Sequence, residues 1–198
     1  MSKYKDVKIG VLALQGDFEK HLEHIAQVGA VGVQIKLPKQ LAEIDGLIIP
    51  GGESTTIDKL IDRFELRQPL IDFAAKKAVY GTCAGMIMVA KNIENNQAHV
   101  TPLGLIDIDV ERTAYGRQVF SFDENIDCKL DGEISSVPVS FIRAPIITRC
   151  GEQVEKLAVY LGKPVLVKEG NILAGSFHAE LGEDTRILEY FIERFLLP

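Results

Sequence analysis

The segment that most limits the possible folds is residues 7–14, Val-Lys-Ile-Gly-Val-Leu-Ala-Leu, a nearly continuous apolar run with β-branched residues. A strand of this kind is covered on both faces, as in a parallel sheet flanked by helices; a one-sided antiparallel strand would alternate apolar and polar residues. The chain then keeps to that plan. After Gln15-Gly16-Asp17, the apolar positions Phe18, Leu22 and Ile25 recur at helical spacing, and Gly29 lies just beyond as a stop signal. Residues 32–36 and 47–49 repeat the strand signal. The second of these runs into Pro50-Gly51-Gly52-Glu53-Ser54, with a helix expected to begin near Thr55. A helix over residues 69–76 and a short strand, Ala78-Val79-Tyr80, ending at Gly81 complete the alternation. The expected fold is α/β, a three-layer arrangement with a mostly parallel central sheet and helices on both faces.

From residue 105 to residue 176 the strand signals crowd together with little helical periodicity between them. Residues 137–142, 158–161, 165–168 and 172–176 are expected to extend the sheet or to form a small antiparallel layer. Asp184 is placed to cap a final helix whose apolar stripe is Ile187, Leu188, Phe191, Ile192 and Phe195. No internal repeat or linker interrupts the chain, so residues 1–198 are read as one domain, long enough to bury a substantial core.

The formal net charge of −6 disfavours nucleic acids and anionic membranes as partners, since both select clustered Lys and Arg. The first five residues lead straight into a strand without the pattern of a signal peptide, and no apolar run nears the ~20 residues of a bilayer span. Cys83, Cys128 and Cys150 are odd in number and widely spaced, fitting neither a disulfide framework nor a zinc site. A reducing cytoplasm is the simplest setting.

Gly81-Thr82-Cys83-Ala84-Gly85 follows a strand and opens an apolar segment, residues 86–90, that suits a helix. It fits the Gly-x-nucleophile-x-Gly elbow, in which glycines flank a sharp turn and lift the nucleophile to the start of a helix. Outside that context a lone Cys among apolar residues is more often an inert core side chain. A thiol nucleophile needs a base. Of His21, His24, His99 and His178, only the last is well placed: in extended geometry Glu180 faces the same side as His178 and can orient its ring. The order Cys, His, Glu argues against the α/β-hydrolases. Pro50-Gly51-Gly52-Glu53-Ser54 offers an unobstructed N–H for an oxyanion, with the amide of Ala84 as a second donor, although a tight turn alone would account for its glycines. His21 and His24, three residues apart, lack identifiable co-ligands, so they are assigned to surface or interface positions and no metal is expected.

Together these residues resemble the class I, triad-type glutamine amidotransferases. Leu14-Gln15-Gly16, Pro50-Gly51-Gly52-Glu53-Ser54-Thr55-Thr56, the Cys83 elbow, Glu111-Arg112 with Tyr115-Gly116-Arg117-Gln118, and Phe141-Ile142-Arg143-Ala144-Pro145 are similar to the glutaminase subunits of pyridoxal 5′-phosphate synthases. The resemblance implies that Cys83 attacks the carboxamide of L-glutamine, that His178 shuttles the proton and that Glu180 holds His178. It implies glutamine contacts at Gly51, Gly52, Glu53, Arg112, Ile142 and Arg143, an oxyanion hole at Gly52 and Ala84, and coupling to the partner at Gln15. It implies no cofactor in this chain, and a synthase subunit as partner in an assembly of twelve and twelve subunits. Ala179 departs from the family, which has Pro between the His and the Glu; the change removes no reacting group. Three other readings remain open: a glutaminase feeding another acceptor such as imidazole glycerol phosphate synthase, a non-catalytic subunit on the same fold, and a cysteine hydrolase.

Overall fold

The computed structural model describes residues 3–112 and 121–197, so the Tyr115-Gly116-Arg117-Gln118 motif lies outside the described residues. The first half of the chain runs β1 (Lys8–Leu12), α1 (Phe18–Gln27), β2 (Val31–Ile35), a 3-10 turn (Pro38–Glu43), β3 (Gly46–Ile49), α2 (Ser54–Arg63), α3 (Arg67–Ala74), β4 (Ala78–Thr82) and α4 (Ala84–Val89). The remainder is β5 (Ala90–Glu94), β6 (Ile106–Glu111), β7 (Ser121–Leu130), β8 (Glu133–Ile142), β9 (Ile146–Cys150), β10 (Glu155–Tyr160), β11 (Lys163–Glu169), β12 (Ile172–Gly175), α5 (Arg186–Phe191) and a π-helical turn (Ile192–Leu196).

Among the described residues the main sheet has the order β2-β1-β3-β4-β12-β11-β10-β7-β8. The pairs from β2 through β12 are parallel, and those from β12 outward are antiparallel. A smaller sheet, β5-β6-β9, packs against it without joining its hydrogen-bonded ladder. The continuous apolar runs are explained by burial on both faces. Ile9, Val11, Ile48 and Tyr80 point into one core with Ile25 of α1 and Ile187, Leu188 and Phe191 of α5. Leu12, Leu47, Ile49 and Val79 point into the other, against Ile57 and Ile61 of α2, Leu70 and Phe73 of α3, and Ile106, Ile108 and Ile147 of the small sheet. No described helix is long and apolar enough to cross a membrane.

Several expectations shift. The helix expected over residues 69–76 is α3, two residues earlier. Strand β7 was not anticipated, because Asp123, Glu124, Asp127 and Lys129 obscure its alternation; only Ile126 and Cys128 on it are fully buried. The N-cap of α5 is Thr185 rather than Asp184, although Asp184 Oδ1 still accepts from the Arg186 N–H at 3.0 Å.

The topology places the site. From β1 the chain moves outward to β2 on one side and to β3 on the other, so a crevice opens at the carboxyl ends of β1 and β3, where ligands bind in open α/β sheets. Parallel pairing of Thr82 with Gly175 makes β4 and β12 end side by side, and the segments that follow them, Cys83 and Ser176 to Glu180, leave from the same edge.

Candidate active site

Cys83 sits between β4 and α4 with φ 50° and ψ −108°, a conformation that costs a non-glycine residue about 1–3 kcal/mol and persists only where its surroundings impose it. Both flanking glycines are required by close approach. A Cβ on Gly81 would lie 2.5 Å from the Gly85 carbonyl oxygen, and one on Gly85 would lie 1.8 Å from that of Ile49, at the end of β3. The elbow therefore packs backbone on backbone, and any side chain at either position would open it. The Cys83 N–H donates to the Gly175 carbonyl at 2.8 Å, which ties the turn to β12, and Sγ lies 3.8 Å from the Ile142 carbonyl oxygen.

His178 follows β12 through Ser176 and Phe177. Its N–H donates to the Ser140 carbonyl at 2.8 Å, and its carbonyl accepts from the Ser140 N–H at 3.0 Å, an isolated antiparallel bridge to β8. That bridge holds His178, the residue before Ala179, in extended geometry, the region to which a following proline would also confine it. Nδ1 lies 2.7 Å from Glu180 Oε1, leaving Nε2 as the ring nitrogen for Cys83. Burial opposes a charge on the imidazole, but hydrogen bonds to Cys83 and Glu180 and the carboxylate charge outweigh it, raising the pKa well above its ordinary value. Glu180 is 4% exposed. Burial pushes its pKa up, yet the charge of His21 and the bonds to His178 and His21 hold it well below the usual carboxylate range.

His21 was not anticipated here. It and His24 are assigned by sequence to surface or interface positions, but both are buried within the chain, and His21 Nε2 lies 3.2 Å from Glu180 Oε1 and 3.4 Å from Thr82 Oγ1. The correction has a physical reason already present in the sequence: Phe18, His21, Leu22 and Ile25 follow the i, i+3, i+4, i+7 spacing of one helical face, so His21 rides the stripe that packs onto the sheet. His99, by contrast, is exposed. Among the described residues no group of three or more His, Cys, Asp or Glu is arranged to hold a metal.

A cleft of about 240 Å³ opens above Cys83 and His178, lined also by Gly51, Gly52, Glu53, Ala84, Arg112, Ile142 and Arg143. Six residues expected to contact glutamine and both expected oxyanion residues thus share one cavity with two members of the triad; Glu180 lies behind His178, outside it. Gly51 has no room for a side chain, since a Cβ would meet the imidazole Cε1 of His178 at 2.3 Å. The Glu53 carboxylate is engaged locally: Oε1 accepts from the Thr55 N–H and hydroxyl, Oε2 from those of Thr56, and Arg112 Nη2 approaches Oε1 at 3.2 Å. Although partial burial works against ionisation, the hydroxyl and N–H donors of Thr55 and Thr56 bring its pKa down to about 2. Gln15, outside the cleft, accepts the Glu53 N–H through Oε1 at 2.8 Å and so fixes the loop that carries Gly51 and Gly52.

The sequence and the fold have known relatives. A family profile described as the SNO glutamine amidotransferase family matches residues 11–197. The pyridoxal 5′-phosphate synthase subunit PdxT of Kosmotoga olearia is 48% identical over 191 residues, covering 96% of this chain and 98% of its own. That of Bacillus licheniformis is 50% identical over 188 residues, 93% of each chain. A crystal structure of a glutamine amidotransferase matches with a TM-score of 0.87 at 42% identity, covering 93% of this chain and 97% of that one. With sequence and architecture agreeing over nearly its whole length, the chain belongs to the SNO glutamine amidotransferase family.

Proposed function

We propose that this chain is the glutaminase subunit of a pyridoxal 5′-phosphate synthase, hydrolysing L-glutamine to L-glutamate and ammonia. The observation that carries the reading is the convergence of Cys83 and His178 at the floor of one cleft, with Glu180 2.7 Å behind the imidazole. Its curated relatives, 48% and 50% identical, are named as subunits of that synthase. With its raised pKa, His178 holds the Cys83 proton on Nε2, and the resulting Sγ thiolate attacks the carboxamide carbon of glutamine. The oxyanion is received by the N–H groups of Gly52 and Ala84. As the C–N bond breaks, His178 returns its proton to the leaving nitrogen, and ammonia departs from a glutamyl thioester. Water, deprotonated by His178, then releases glutamate and restores the thiolate. Glu180 holds Nδ1 and offsets the charge on the ring throughout.

Arg112 and Arg143 are suited to the α-carboxylate of glutamine, with Gly51, Glu53 and Ile142 shaping the rest of the site. Because the Glu53 carboxylate caps α2, its contribution to an α-ammonium depends on exchanging one of those bonds. Gln15, by holding the Glu53 N–H, is the point at which a docked synthase subunit would act on the oxyanion loop. The ammonia passes to that subunit, which builds the vitamin from a pentose phosphate and a triose phosphate in a cytoplasmic assembly of twelve and twelve chains. Residues 1–198 serve as one glutaminase domain.

The test is glutamate release from L-glutamine by the chain alone and with a pyridoxal phosphate synthase subunit. Release should rise with the subunit and fall at least about 1,000-fold in Cys83→Ala. No release in either mixture would overturn the reading, and light scattering of the mixture checks the stoichiometry.

A further inference from the structure

Separate from the cleft over Cys83 and His178 lies a cavity of about 10 Å³ lined by His21, His24, Tyr80, Glu180 and apolar neighbours. Three polar atoms on its lining residues have no hydrogen-bond partner among the described residues: Glu180 Oε2, the Tyr80 hydroxyl and His24 Nε2. All three residues are more than nine-tenths buried, with exposures of 4%, 3% and 6%. One isolated orphan of this kind would cost about 1–3 kcal/mol, and more for a charged group; three around one small space point to a shared partner. The volume matches about one water, and a buried water needs two to four polar partners.

We propose that this cavity is a binding site for a single internal water that joins Glu180 Oε2, Tyr80 Oη and His24 Nε2, making Tyr80 and His24 positioning residues for the triad carboxylate. The donors and acceptors balance. Burial and the nearby Glu180 charge keep the Tyr80 phenol protonated, so its hydroxyl donates to the water oxygen. Burial keeps His24 neutral, and a hydrogen bond from its ring to the backbone of Asp184 leaves Nε2 as an acceptor. The water's two hydrogens then go to Glu180 Oε2 and His24 Nε2. With His178 and His21 on Oε1 and the water on Oε2, both oxygens of Glu180 are engaged, which resists rotation of the carboxylate away from Nδ1 of His178. The consequence for catalysis rests on the glutaminase reading; the water site itself does not.

The experiment is an atomic-resolution crystal structure of the full chain, alone and as Tyr80→Phe, together with glutamine kinetics of both with the synthase subunit. An ordered water within hydrogen-bonding distance of all three atoms is expected in the unsubstituted chain. An empty cavity there, or a side chain rotated to satisfy Oε2 directly, would overturn the site. In Tyr80→Phe, kcat is expected to fall about tenfold at unchanged KM. An unchanged kcat would overturn the positioning role even if the water is seen. Should Tyr80→Phe fail to fold, the density in the unsubstituted chain still decides the site, and absence of glutamate release by that chain would count against the glutaminase reading alone.

Discussion

Glu180 shares one oxygen between His178 at 2.7 Å and His21 at 3.2 Å while almost wholly buried. Removing a partner from such a carboxylate leaves part of its desolvation uncompensated. His21→Ala is expected to cost about 2 kcal/mol, read as a lower urea midpoint at unchanged slope, with a reduced kcat for glutamine in the complex. An unshifted midpoint would mean that the His21 contact contributes nothing net. Of the residues at the site, Cys83, His178 and Glu180 were legible in the sequence because their local contexts, a glycine-flanked turn and a two-residue spacing, are themselves chemical requirements. His21 was not, because its partner is 159 positions away along the chain and its neighbours on the apolar stripe were read without it.

Glu53 caps α2, and its depressed pKa means that the unfolded state binds the extra proton, so stability from the cap is fully present above the ordinary value of 4.5 and is lost as pH falls toward about 2. The gap in urea midpoint between the unsubstituted chain and Glu53→Gln should therefore persist from pH 7 to pH 5, narrow below the ordinary value of 4.5 and vanish only near about 2; a gap independent of pH would show that the charge is not what stabilises the cap. At the elbow, Gly85→Ala forces a methyl group against the Ile49 carbonyl oxygen, which belongs to a central strand and cannot yield cheaply. A loss of about 3 kcal/mol and of glutaminase activity is expected. Normal stability, measured by thermal unfolding, would mean that β3 and α4 can separate without consequence.

Over the whole molecule, the sheet joins a parallel half buried on both faces to an antiparallel half that is covered less evenly. Among the described residues the β7–β8 hairpin pairs with the rest of the sheet through one registered position, Ala158 opposite Cys128, while β1 is paired with β2 from Lys8 to Leu12 and with β3 from Ile9 to Val11. Amide exchange should be slowest in β1, β3, β4 and β12 and faster in β7 and β8. Equal protection throughout would show that the hairpin opens only with global unfolding. The difference bears on function, because β8 ends at Ile142 beside Cys83 and its Ser140 pins His178.

The sequence by itself determined the α/β class, the strand-helix alternation of the first half, the elbow, and the His and Glu that follow β12, since each rests on a local period or on the steric demands of adjacent residues. It also contained the stripe that buries His21, although only packing identified the carboxylate it meets. The tertiary structure alone decided the order of strands, which brings Cys83 beside Gly175 and so beside His178. It decided that β7, charged on its outer face, still joins the main sheet. It also decided that Glu53 is engaged by its own helix and that three buried polar atoms share a cavity separate from the cleft. Periodicity reports which face of an element is covered, whereas the identity of the covering group is set by contacts between distant segments, which no local pattern encodes.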